Sequence, residues 1–295
     1  MTEPSQPDPF AGRVVVGADG SDEAHTALLW AAQYARQVGA EVVLVHGWEM
    51  PIGSVRTMSY DSQVVDEAHA AAQRTVDDAS RWLREALPGC EVHTALVPGR
   101  PTKALLEAST SARCVVVGSR GRGALTSALL GSTSDHVAAH GHCPVVVVPT
   151  GAEWRDDAKV LLASDGSDGA RSATGYAFGE ASRLGVGLEV LTVVDPMPMI
   201  ATDPLVMPPA PELLLPETRE VVEQALVPFR AEHPDVPVEV VAELGTLEEV
   251  VEQRSPEASL VVTGSRGRGA VVSLLTGSAS RQALSGARCP VVVVH

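Results

Sequence analysis

Positive charge is scarce in this chain: 22 Lys and Arg residues stand against 37 Asp and Glu, for a formal net charge of −15. Non-specific affinity for nucleic acid comes mainly from Lys and Arg neutralising phosphates, so DNA and RNA are not expected partners. Also missing is any apolar run of the ~20 residues that a membrane helix needs. The opening MTEPSQPDPFAGR is polar and proline-rich, without the basic and then apolar order of a targeting segment. We therefore expect a cytoplasmic protein with no membrane contact. Cysteine is sparse: Cys90, Cys114, Cys143 and Cys289 lack metal-ligand spacing, and three lie beside or inside valine-rich runs. They read as buried thiols in a reducing compartment.

What the chain does have is a near-verbatim repeat, GSRGRGALTSALLGS from Gly118 and GSRGRGAVVSLLTGS from Gly264, 146 positions apart. Other landmarks recur at that offset: GADGSDEA at Gly17 with ASDGSDGA at Ala163, and HCPVVVVP at His142 with RCPVVVVH at Arg288. A constant offset across so many landmarks means whole-domain duplication with no element lost. We expect two domains, residues 1–153 and 154–295, joined by a short linker over 150–157.

Within each half, short β-branched runs alternate with helical spacing. The first half reads as strands over 13–18, 41–45, 91–97, 114–117 and 144–148, with helices over 21–38, 63–87, 101–109 and 132–140. In the second, strands fall at 160–163, 188–194, 238–243, 259–263 and 290–294, with helices at 170–184, 217–231, 247–253 and after the motif. Apolar runs too continuous for a one-sided sheet imply a parallel sheet covered on both faces. The fold class is α/β: two tandem doubly wound, Rossmann-like domains, each an open five-stranded parallel sheet with helices on both faces. Two stretches break the pattern. Residues 50–60 are irregular, and 195–216, rich in Pro and Met, cannot form a regular helix or central strand; it is a flap, a protein contact or a solvated connector. The apolar final strands either complete their own sheet or add to a neighbouring one.

In each repeat the glycines follow a buried strand, and a Gly-Ser step opens a helix. Glycine there permits positive φ, lets backbone approach an oxygen and removes side chains from the path of a phosphate; the plainer reading is a strand-to-helix turn with small residues for steric reasons. A P-loop is excluded because neither copy has a Gly-Lys pair. The dinucleotide fingerprint is excluded because the glycines follow the fourth strand and not the first.

These residues, Gly, two residues, Gly, nine residues, then Gly-Ser, present in both copies, make the chain resemble the ATP-binding universal stress proteins in their tandem form, from about residue 14 to the end. The resemblance implies ATP with Mg2+ as cofactor, one per domain. It implies that Asp19 and Asp165, with Ala18 and Ser164, lie at the adenosine end, and that the backbone at Gly47 and Val193 bonds adenine. It assigns the phosphates to Gly118, Arg120, Gly121, Gly131, Ser132 and Ser134 in the first half, and to Gly264, Arg266, Gly267, Gly277, Ser278 and Ser280 in the second. The copies differ at Thr133 versus Ala279 and at His46–Gly47 versus Thr192–Val193, from which small affinity differences between the sites are expected. Taken alone, Asp in an Asp-Gly-Ser sequence is a turn former or helix cap.

None of the nine histidines recurs at the 146-residue offset, so no catalytic set is duplicated and no metal is expected on protein side chains. Single histidines such as His46 and His69 read as surface or packed residues. The resemblance implies a nucleotide-dependent regulator in stress response or growth control, a homodimer read by a protein partner. The alternatives are a slow ATP hydrolase or adenylating enzyme, and a scaffold whose glycine loops are vestigial.

Overall fold

The computed structural model describes residues 8–49, 62–121, 130–195, 210–265 and 278–295. The irregular stretch 50–60, Arg122, most of the Pro/Met segment (196–209), and Arg266, Gly267 and Gly277 lie outside them. The chain divides into two compact units, Met1–Gly151 and Ala152–His295.

In the first unit, β1 (Val14–Gly17) leads into α1 (Asp22–Val38), then β2 (Val42–Trp48), α2 (Ser62–Ala86), β3 (Val92–Pro98), α3 (Pro101–Ala108), β4 (Cys114–Gly118), α4 (Ser132–His140) and β5 (Val145–Val148). The strands are parallel in the order β3-β2-β1-β4-β5, with Val14 opposite Val42 on one side and Cys114 on the other. This order follows from the two directions of winding. The chain moves outward from β1 through β2 to β3, then crosses back to β4 and β5. Right-handed crossovers therefore place the helices of the two runs on opposite faces: α1 packs with α2, and α3 with α4. Strand Val14–Val16, buried between both layers, is fully excluded from water.

Local chemistry sets the boundaries. Ser21 caps α1, its Oγ accepting the Ala24 N–H at 3.2 Å, and Gly39 closes the helix at φ +64°. Gly185 closes the equivalent helix of the second unit at φ +69°.

The second unit repeats the order: β6 (Lys159–Ala163), a 3₁₀ turn and α5 (Arg171–Leu184), β7 (Leu188–Val194), α6 (Leu215–Glu232), β8 (Val238–Leu244), α7 (Leu247–Arg254), β9 (Ala258–Gly264), α8 (Ser278–Gly286) and β10 (Val291–Val294). Its strands run β8-β7-β6-β9-β10, all parallel. Each final strand, β5 and β10, pairs with the fourth strand of its own unit.

Two expectations change. The end of the Pro/Met segment is helical: Pro211–Leu214 forms a 3₁₀ turn that runs into α6, which starts at Leu215 with Pro216 in its first turn. Proline is tolerated there because the first N–H groups of a helix have no intrahelical acceptor. The second strand extends past Val45 to Trp48, carried by pairing with β3 through Trp48 and Pro98.

Candidate functional site

A cleft in the first unit opens at the switch point, where β1 and β4 lie side by side and their chains leave in opposite directions. At its β1 side, Ala18 N–H makes a last ladder bond to the Val45 carbonyl at 2.9 Å, and Gly20 turns the chain at φ +75°. Asp19 is held by Ser21: its Oδ1 accepts the Ser21 N–H at 3.0 Å and the Ser21 hydroxyl at 2.6 Å. The other oxygen, Oδ2, faces Gly121 so closely that a side chain at 121 would strike it.

At the β4 side, Ser119 N–H bonds the Val148 carbonyl and Gly131 N–H bonds the Ser119 carbonyl, both at 2.8 Å. Ser134, buried, donates its hydroxyl to the Gly118 carbonyl at 2.6 Å. These bonds pin the start of α4 against the end of β4. The helix opens at Gly131, which has no side chain to cap it, and its first bond is Asp135 N–H to Gly131 O at 2.9 Å. Helix geometry leaves the N–H groups of Ser132, Thr133 and Ser134 without an intrahelical acceptor, and the helix dipole makes that end electropositive.

The third wall is β2. In a strand, residues two apart turn their N–H and C=O to the same side. Val45 faces β1, so Gly47 faces the same side, at a level where β1 has already left the sheet. Gly47 must be glycine, because a Cβ would lie 2.6 Å from both N and Cα of Pro101 at the start of α3.

Together these elements enclose a cavity of about 630 Å3, within the roughly 300–1,000 Å3 typical of small-molecule sites. Ala18, Asp19, Gly47, Gly118, Arg120, Gly121, Gly131, Ser132, Thr133 and Ser134 all line it. So do Val45, Val117, Pro101 and Leu105 as apolar surface and Asp135 near the helix end, which sequence reasoning missed, and His46, named there as a point of difference between the sites. His46 Nδ1–H donates to the Ala18 carbonyl at 2.6 Å, locking the end of β1 to β2. Pro101 at the first position of a helix after the third strand was the one signal for the α3 wall.

One reason given for the glycines is corrected. None of Gly118, Gly121, Gly131 or Gly264 has positive φ; Gly20 and Gly166 in the first turns do. At Gly118 and Gly121 the reason is close approach: a Cβ on Gly118 would lie 3.2 Å from the Arg120 carbonyl oxygen, and one on Gly121 would strike the Asp19 carboxylate.

The second unit repeats the frame. Ser164 N–H bonds Leu191 O at 3.0 Å, Asp165 Oδ1 accepts Ser167 N–H at 3.0 Å, and Ser265 N–H bonds Val294 O at 2.8 Å. Ser164, Asp165, Val193, Gly264 and Ala279 line a cavity of about 190 Å3 with Thr192 and Gln282. Ser280 is fully buried and does not line it. Arg266, Gly267, Gly277 and the side chain of Ser278 fall outside the described residues.

Among the described residues, Glu41, Glu91 and His93 gather ligand atoms within 4.8 Å of one another. They sit at the amino ends of β2 and β3, across the sheet from the cleft, and Arg13 already neutralises Glu41 through Nε at 2.6 Å from Oε2.

Fold and site thus define a tandem of doubly wound α/β domains, each with a glycine-walled cleft at its switch point. A model of the family described as Universal stress protein family matches residues 11–149 and again 158–295, and the chain belongs to that family. A universal stress protein of Mycolicibacterium smegmatis is 34% identical over 290 residues, covering 96% of both chains. One of Mycobacterium tuberculosis is 34% identical over 288 residues, again covering 96% of each. The crystal structure of a universal stress protein from Archaeoglobus fulgidus aligns with a TM-score of 0.65 at 22% identity, over 97% of each chain, a likeness of fold. Among the described residues no helix is long and apolar enough to cross a membrane.

Proposed function

We propose that the chain binds ATP, one molecule per domain, and acts in the cytoplasm as a homodimeric, nucleotide-dependent regulator of stress response or growth, read by a protein partner. The observation that carries this is the meeting, in one cavity, of three kinds of recognition. The N–H and C=O of Gly47 offer a strand edge to a base, beside apolar Val45, Pro101 and Leu105. The Asp19 carboxylate accepts from ribose hydroxyls, and the open amides of α4 with Arg120 receive phosphates. Asp135 lines the same helix end, where its charge would repel a bare triphosphate. A magnesium ion fits that donor set, since Asp135 and the Ser132 and Thr133 hydroxyls are the hard oxygen ligands it takes, and it would neutralise the phosphate charge. In the second domain Asp165, Ser164, the Val193 backbone and the Gly264 end of β9 take the corresponding roles, with Arg266, Gly267, Gly277, Ser278, Ala279 and Ser280 completing the phosphate end.

The test is to denature the purified chain, identify and count the nucleotide released, and titrate the refilled protein with MgATP. We expect two equivalents, one of them weakened about tenfold in Gly121→Ala and in Gly267→Ala separately. No nucleotide bound at millimolar MgATP sinks the reading, and one equivalent removes a domain from it. Solution scattering gives the mass, expected at twice that of the chain.

A further inference from the structure

Helix α4 carries a second feature at its far end. His136 and His140 are four positions apart, so they stand one above the other on the same helix face. Their rings are stacked, with centroids 4.2 Å apart and planes inclined by 28°. His136 is exposed and His140 half-buried. His140 Nδ1 lies 2.9 Å from the carbonyl oxygen of His136. A carbonyl only accepts, so Nδ1 carries the hydrogen, and in the neutral ring the lone pair is on Nε2. That is the outer-shell bond typical of metal-bound imidazole, already present. His140 also occupies the last turn of α4, where the helix dipole favours a cation.

We propose that His136 and His140 form a two-imidazole chelate for a borderline divalent transition metal, Zn2+, Ni2+ or Cu2+, with water completing the shell. Imidazole nitrogen selects these ions over Mg2+ and Ca2+. Two ring nitrogens each ~2.0–2.1 Å from one ion must stand about 3 Å apart, and these rings already stack with centroids 4.2 Å apart. His142, two residues on, lies past the end of α4 and is tied to a different element, its Nδ1 3.2 Å from the Ser109 hydroxyl. The second domain lacks the pair, with Gln282 and Gly286 at the corresponding positions, so the site is single. It is independent of the nucleotide reading.

The test uses the full chain without a histidine tag, stripped of metal, and titrated calorimetrically with ZnCl2 and with NiCl2. We expect one saturable equivalent, weakened about tenfold or more in both His136→Ala and His140→Ala as the two-point chelate becomes a single imidazole. His142→Ala and His93→Gln keep it. With Cu2+ bound, electron paramagnetic resonance should show coupling to two nitrogens, reduced to one in either alanine variant. Absence of a saturable equivalent in the wild type overturns the proposal. So does affinity that survives both substitutions, or that falls in His93→Gln instead.

Discussion

Where the second strand of each half passes the end of the first, the chain presents Gly47 in one domain and Val193 in the other, on the same frame. Gly47 lets the start of α3 press against β2, with Pro101 directly over it, and the cleft beside them holds about 630 Å3. Val193 instead packs its side chain with Leu247 onto the core cluster of Leu191, Val250 and Val251, and the second cavity measures about 190 Å3. The halves also anchor the following helix differently. Helix α3 starts with a proline and no side-chain cap, whereas α7 has a full capping box between Thr246 and Glu249. Within β7, the second half holds a buried carboxylate, Glu189, paired with Lys159 and, at 2.7 Å, with Arg254, which also reaches Glu243. The first half has Val43 at the position of Glu189. Duplication preserved the backbone that makes a cleft and allowed the side chains around it to diverge.

The largest effect is expected at Glu189. Replacing it by the valine of the first half leaves Lys159 and Arg254 without their shared partner. This should lower stability by about 3 kcal/mol in urea unfolding, somewhat less to the extent that Lys159 keeps contact with water. Adding Lys159→Met and Arg254→Leu should recover most of the loss; if it does not, Glu189 stabilises by something other than charge pairing.

Next comes Gly47→Val, which copies the second half into the first. Its side chain collides with the backbone of Pro101, so we expect a loss of about 1–3 kcal/mol together with loss of nucleotide from the first site only. An unchanged stoichiometry would show that the open face of β2 is not where the base lies. Gly121→Ala, which drives a methyl into the Asp19 carboxylate, should weaken MgATP at the first site about tenfold, equivalent to ~1.4 kcal/mol, with little effect on unfolding.

Thr246→Ala, removing half of a capping box the first domain never had, should cost about 1 kcal/mol near neutral pH. Bonds from the Thr246 backbone and side chain hold the Glu249 carboxyl below its ordinary range. A carboxyl depressed on folding stabilises above its unfolded value and ceases to do so as pH falls through its folded value. The penalty of Thr246→Ala should therefore shrink on acidification, and a pH-independent penalty would assign it to the hydroxyl alone.

The smallest contrast is between the paired cysteines. Burial pushes the Cys143 thiol up to about 11 and that of Cys289 to about 12. Both stay protonated at pH 8, so iodoacetamide should leave these two thiols of the folded chain nearly untouched there. On raising the pH, the half-buried Cys143 should react before the buried Cys289.

Much of this molecule was legible in its text because the signals are local. Alternation of valine runs with helical spacing and the Gly-Ser step before α4 report chemistry within a few residues, and the 146-residue repeat shows each of them twice. The glycine motif and Asp19 were readable as cleft residues because both follow strands, and strand ends in a doubly wound sheet share one edge. The bond from His46 to the Ala18 carbonyl was not readable, since it spans 28 positions. Nor was the buried clip from Ser134 to Gly118, which uses for structure a hydroxyl assigned to phosphate.

From the residues alone follow the duplication, the sheet with its covering helices, and the edge at which a ligand must enter, because burial pattern and turn chemistry are properties of short segments. Tertiary packing decided which glycines are forced by a neighbour, which serine is spent inside, how wide each cleft stands, and that α4 sets two histidine rings face to face. Those outcomes depend on how closely segments far apart in the chain approach, and that distance is written in no single segment.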